Sequence, residues 1–150
     1  MRGVLHKGLH HYYRSSRYLL HAVPVLDVAL RLFLANVFFK SGLTKLQTWD
    51  STLYLFREEY KVPLLPPDFA AYLATGAELA LPVLLVFGLF GRFAALGLFI
   101  LNAVAAYSYY EQLSAAGLQQ HFYWGALLAV LLLHGLGKWS LDEWLELRCK

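Results

Sequence analysis

The sequence predicts an all-α protein, a bundle of four transmembrane helices with short interfacial helices. Composition is the first reason. Of 150 residues, 59% are hydrophobic, 16% aromatic and only 15% charged, whereas soluble domains average about 45–50% apolar and about 25% charged residues. Patterning is the second. Apolar blocks near residues 23–46, 69–90, 92–110 and 122–137 approach or exceed the ~17–25 residues of a spanning helix, the fourth being short without its flanks. The blocks leave no room for a second soluble domain. The expected division is an interfacial N-terminal segment (1–22), a four-helix membrane domain (23–145) and a short tail (146–150).

Charge placement sets the expected orientation. With the N-terminus, the Gly88–Arg92 turn and the tail on one side, that side collects Arg2, Lys7, Arg14, Arg17, Arg92, Lys138, Arg148 and Lys150. The other side holds Lys45, Arg57 and Lys61. The positive-inside rule then puts both termini in the cytoplasm. The first twenty residues carry bases and no continuous apolar h-region, so a cleaved signal is not expected. Net charge is +3, the basic flanks suit anionic lipid headgroups, and no patterned basic and aromatic surface points to nucleic acid. A lone Cys149 excludes an intrachain disulfide and a CxxC redox pair.

Residues 1–22 mix His6, His10, His11, Tyr12, Tyr13, Tyr18 and His21 with bases, which suits an amphipathic segment in the headgroup region. His10 and His11 would point about 100° apart on a helix, with no carboxylate or Cys nearby to complete a metal site. In the first span, Asp27, Arg31, Phe38, Gly42 and Lys45 share one helical face and Lys40 lies opposite. A charge near the bilayer centre costs about 2.5–3.5 kcal/mol on insertion scales. Lys40 can snorkel to the interface, but Arg31, ~13 Å in from residue 22, needs a partner. Asp27 stands one turn away at i,i+4.

After the first span, Leu53, Phe56 and Tyr60 recur at helical spacing, with Asp50 or Ser51 available as a cap. This predicts a short helix, followed by a proline-restricted strap over 61–67. Two readings stay open for it: a lid over the mouth of the bundle, or a connector packed on the headgroups. The second span contains one ionisable group, Glu78, ~13 Å from its outer end. An ion pair between Arg31 and Glu78 is the expected way to accommodate both charges. Pro82 withholds the N–H that would bond the Glu78 carbonyl, which leaves that acceptor available.

A tight Gly88–Gly91 turn leads to the third span, where Asn102 near the midplane either joins the polar layer or packs helices. Tyr107, Tyr109, Tyr110, Tyr123 and Trp124 suggest an aromatic belt at the outer interface. In the fourth span, His134 should lie level with His21, which would allow two imidazoles on a heme iron. A hydrogen bond from His134 to Asp27 or a carbonyl is the simpler reading. Near the end, Ser140 and Glu143 fit a capping box flanked by Trp139 and Trp144 as a staple. Asp142 would complement the helix dipole and could meet Arg92.

The ligand-binding candidates are therefore Arg31, Lys45, Glu78 and Asn102. Asp27, Gly42, Pro82, Arg92 and Asp142 support them, and no catalytic residue identifies itself. Several motifs together resemble the DoxX-like membrane proteins: Arg31, Ser41-Gly42-x-x-Lys45, Ala77-Glu78 followed by Pro82, Gly88-x-x-x-Arg92-x-Ala94-Ala95, and Gly137-Lys-Trp-Ser-Leu-Asp142. The resemblance implies a four-helix protein of a bacterial inner membrane, often found with partner proteins. Some relatives are small subunits of thiosulfate:quinone oxidoreductase, some are linked to thiol and superoxide defence, and others accompany peptide-modifying enzymes with bound metals. The loop Glu59–Pro67 looks like the proteobacterial branch. Two roles are weighed: a redox-associated subunit holding a quinone or similar lipophile, or a non-catalytic anchor or assembly partner. Either would work with a protein partner or as a homo-oligomer.

Overall fold

In a computed structural model the described residues are 17–149. The metal-site reading of His10 and His11 and most of the expected N-terminal interfacial segment fall outside them. After helical residues 17–19, six helices follow among the described residues: α1 (Val23–Gln47), α2 (Trp49–Glu58), α3 (Pro67–Phe87), α4 (Gly91–Ser108), α5 (Ala115–His134) and α6 (Leu141–Cys149). No strand occurs among the described residues. The long helices α1, α3, α4 and α5 form the bundle, with neighbours α1 against α3, α3 against α4 and α4 against α5.

By length and composition, α3, α4 and α5 are apolar enough to cross a membrane. The first helix is longer, at 25 residues, and its charges are placed so that it can stand beside them. Asp27, Arg31, Leu34, Ala35, Phe38 and Gly42 form its buried stripe, which is the i, i+4, i+7 pattern of one helix face. Leu26, Leu32, Phe33 and Leu46 face outward, and Lys40 is exposed. The helix is thus polar toward the bundle and apolar toward its surroundings, as intramembrane charges require.

The main core joins Leu34, Phe38, Leu85, Ala94, Ala95, Leu98, Leu128, Leu131 and Leu136. A second, smaller core joins Phe56 of α2 to Ala70 and Ala71 of α3. The expected cap at Asp50 or Ser51 is not the one used: α2 begins after Thr48, which makes no side-chain cap. The hydroxyls of Thr44 and Thr48 bond back to the carbonyls of Lys40 and Thr44, and such bonds bend helix ends. Thr52 donates to the Lys45 carbonyl across the break.

Between α3 and α4, Gly88 closes the turn at φ +67. Only glycine fits here, because a Cβ would lie 2.5 Å from Ser140 Cβ as well as in a left-handed backbone. Ser140 caps α6 by accepting from the Glu143 N–H at 3.3 Å. Asp142 then reaches back to α4, taking the N–H groups of Phe90 at 2.8 Å and Gly91 at 2.7 Å. Arg92 is exposed, so Asp142 serves the helix start rather than that side chain.

Candidate functional site

The polar side chains of the bundle gather in two layers. The first lies where α1 begins. Arg31 is 2% exposed, and its Nη2 donates to the Trp139 carbonyl at 2.7 Å. Its Nε and Nη1 have no hydrogen-bond partner among the described residues. Asp27 is buried on the same face. Its carboxylate lies 3.8 Å from His134 Nε2, an ion-pair distance when the imidazole is protonated but too long for a hydrogen bond. His21 turns instead to the Arg17 carbonyl at 3.1 Å.

The second layer lies toward the other end. Lys45 donates to both oxygens of Glu78, at 2.8 and 2.7 Å, and to Ser41 Oγ at 2.9 Å. Ser41 donates to Glu78 Oε1 at 3.2 Å. Gly42 makes this possible: a Cβ there would stand 3.0 Å from Glu78 Cβ. The motif Ser41-Gly42-x-x-Lys45 therefore works as one device. Glycine admits α3 at close range, and the flanking serine and lysine embrace its carboxylate.

The expected Arg31–Glu78 pair is not formed, and helix register is the reason. Gly42 is level with Glu78, so in this antiparallel pair Arg31 falls level with the Gly88 turn, which its Nη1 contacts. Eleven residues separate Arg31 from Gly42, roughly 16 Å of helix. Equal depth requires helices that begin at one level, but α1 projects beyond α3 and is met there by Gly137 and Trp139. Lys45 lies one turn beyond Gly42, and its side chain leans back toward the N-terminus of α1, as helical side chains do.

Asn102 is buried in α4 and joins α5. Its amide donates to the His121 carbonyl at 2.9 Å, and its Oδ1 meets His121 Nδ1 at 2.8 Å. His121, which the sequence offers only as a possible heme nitrogen beside His134, is a site residue whose pairing with Asn102 sequence reasoning does not reach. A signal existed, because Asn102 is six residues before the end of α4 (108 − 102) and His121 six after the start of α5 (121 − 115).

A cavity of about 240 Å³ lies between these groups, lined among others by Ser41, Lys45, Tyr60, Glu78, Tyr109 and His121. It adjoins an apolar groove of about 350 Å³ between α3 and α4, which shares Lys45, Tyr60 and Glu78 and runs past Leu73 and Ile100. Both of those side chains are half exposed on the outer surface. Above the cavity, Tyr60 stacks between Phe56 and Tyr109, with ring centroids 4.7 Å apart on each side. Tyr109 donates to Glu59 at 3.0 Å. Lys61 bonds the Ser108 carbonyl through its N–H at 3.0 Å and Glu111 through Nζ at 2.7 Å. Residues 59–61, which lead into the strap, are thus fastened to the end of α4 beside the cavity.

The expected aromatic belt divides. Tyr107, Tyr110 and Tyr123 are exposed, while Tyr109 and Trp124 line the cavity. Burial pushes the Tyr60 phenol up to about 12, with Tyr109, Glu78 and Glu59 adding to the effect. The hydrogen bond to Glu59 raises Tyr109. Both phenols thus keep their protons at neutral pH.

The sequence profile of DoxX matches residues 26–111, which span α1 to the end of α4 and include Lys45, Glu78 and Asn102. The chain belongs to the DoxX family. An uncharacterized protein of Haemophilus influenzae is 38% identical over 121 residues, covering 75% of this chain and 78% of its own. No solved structure matches. Within the DoxX match, the apolar helices identify a membrane protein. His121 and the Trp139–Asp142 segment lie beyond its end.

Proposed function

We propose that this DoxX-family chain is a redox-associated subunit of the bacterial inner membrane that holds a quinone or similar lipophilic ligand beside Lys45 and Glu78. The observation that carries the reading is the junction of two spaces at one ion pair. A cavity that presents Ser41, Lys45, Glu78 and His121 among apolar walls suits a head group, and an apolar groove reaching the outer surface of α3 and α4 suits a tail. Lys45 Nζ, whose three N–H groups go to Ser41 and to the two Glu78 oxygens, would give up the bond to Ser41 to donate to a carbonyl oxygen. Glu78 would hold or release the accompanying proton. Ser108, whose buried hydroxyl has no partner among the described residues, adds a polar contact in the groove wall. Arg31 is assigned to the terminal layer, away from the ligand. In this reading both termini are cytoplasmic. The electron-transfer partner is a second protein, to which this chain is an accessory subunit.

The test uses Trp124, which lines the cavity. Titrating the purified protein in mild detergent with several quinones should quench tryptophan fluorescence saturably, and Lys45→Met should weaken the effect. Absence of saturable quenching with any quinone would sink the proposal.

One observation favours a second reading, a non-catalytic anchor or assembly partner. Lys45, Ser41 and Gly42 together fix α1 against α3, and buried ion pairs can serve register alone. Retained activity of the assembled complex in a Lys45→Met/Glu78→Leu double variant would favour that role.

A further inference from the structure

His121 is held in one tautomer with its second nitrogen unused. The Asn102 amide must turn its NH2 toward the His121 backbone carbonyl, 2.9 Å away, because that carbonyl only accepts. Oδ1 is then the atom facing His121 Nδ1 at 2.8 Å. Since Oδ1 also only accepts, Nδ1 carries the proton of the neutral ring. Nε2 is consequently a lone-pair acceptor, and it has no hydrogen-bond partner among the described residues. Trp124 meets the ring edge-on, with centroids 5.2 Å apart, and further limits its rotation.

His121 borders both this cavity and a groove of about 470 Å³ between α4 and α5, and in the cavity the donor and the acceptor come from different elements. Lys45 supplies the cationic donor from α1, and His121 supplies a neutral acceptor from α5. Its remaining walls include the rings of Phe38, Tyr60, Tyr109 and Trp124. Aromatic walls favour a flat ring, and a ligand that offers a donor to Nε2 gains a hydrogen bond that one without a donor forgoes.

We infer that His121 is the ligand-orienting residue of this cavity, its Nε2 accepting a hydrogen bond from an aromatic hydroxyl, so that the site prefers lipophilic phenols and hydroquinones to their ethers. The inference rests on the ligand-binding reading above and narrows it to the hydroxyl-bearing form. Asn102 acts as a positioning residue, since its side-chain hydrogen bonds go to His121 and fix which nitrogen is free.

The test compares para-hexylphenol with para-hexylanisole, which differ in the hydroxyl proton and a methyl group, on the purified full-length protein in mild detergent. The phenol should bind roughly tenfold tighter, the equivalent of one hydrogen bond, and His121→Phe should remove most of that difference. A second readout needs no variant. In protein labelled with nitrogen-15 histidine, the phenol but not the ether should shift the Nε2 resonance of one imidazole in the Nδ1–H form. Equal binding of both compounds, or a phenol preference with no Nε2 shift, overturns the inference and leaves the ligand site standing. If neither compound nor any quinone binds, the ligand site and the inference both fall.

Discussion

Lys45 and Glu78 form a two-point ion pair across α1 and α3, with Nζ 2.8 Å and 2.7 Å from the two carboxylate oxygens. The side chains are 18% and 9% exposed, so neither charge is well solvated if the other is removed. Breaking such a pair from one side costs about 3–5 kcal/mol, whereas replacing both members with apolar groups is often neutral. Glu78→Leu and Lys45→Met should each lower the midpoint of thermal unfolding in detergent. The double variant should recover most of the loss, and a double variant no more stable than its worse parent would refute this account.

Tyr60 links stability to alkaline pH. Its folded pKa of about 12 stands above the ordinary 10.0, so between those values the native state binds more protons than the unfolded one. Stability then falls as pH rises through that window and is unaffected by this group below it. Ionisation would also place a phenolate near Glu59 and Glu78, which favours opening of the strap. Alkaline titration of phenolate absorbance should show one late tyrosine that disappears in Tyr60→Phe. A titration curve unchanged by the substitution would contradict it.

Asp142 ties the last helix to the start of α4 through two backbone N–H groups, at 2.8 and 2.7 Å. Losing a carboxylate cap costs about 0.5–2 kcal/mol. Asp142→Ala should fall in that range by denaturant or thermal unfolding. Arg92→Ala should do little, because the exposed Arg92 side chain is not what Asp142 engages.

The helices were legible because their signal is local. Length, apolarity and the shared face of Asp27, Arg31, Gly42 and Lys45 identify a helix with a polar side turned inward, and Ser140 announces α6. Pairing between helices was less legible, since it depends on register, which no single helix encodes. A stagger of about three turns moved Arg31 from Glu78 to Trp139 and gave Glu78 to Lys45. His121 was missed because a lone histidine on an apolar helix gives no sign of its partner. Only the symmetry of Asn102 and His121 about the α4–α5 turn could have joined them.

Arg31 holds the terminal segment against the bundle through one main-chain contact. Its Nη2 bonds the Trp139 carbonyl at 2.7 Å, while Gly137 packs on the Asp27 carboxylate one turn earlier. Lysine has a shorter reach and a single point charge in place of the planar fork, so Arg31→Lys should lose the carbonyl bond and leave Asp27 imperfectly matched. Arg31→Ala should be worse, because it removes a nearby positive charge from the buried Asp27 as well as the carbonyl bond. Both changes should loosen 135–140 without dissolving the bundle, whose core residues lie mainly beyond this layer. Limited trypsin digestion reads the difference, since Lys138 is exposed and its backbone must open locally to be cut. Cleavage there should be slow in the native protein, faster in Arg31→Lys and fastest in Arg31→Ala. Equal rates in all three would show that Arg31 does not restrain the segment.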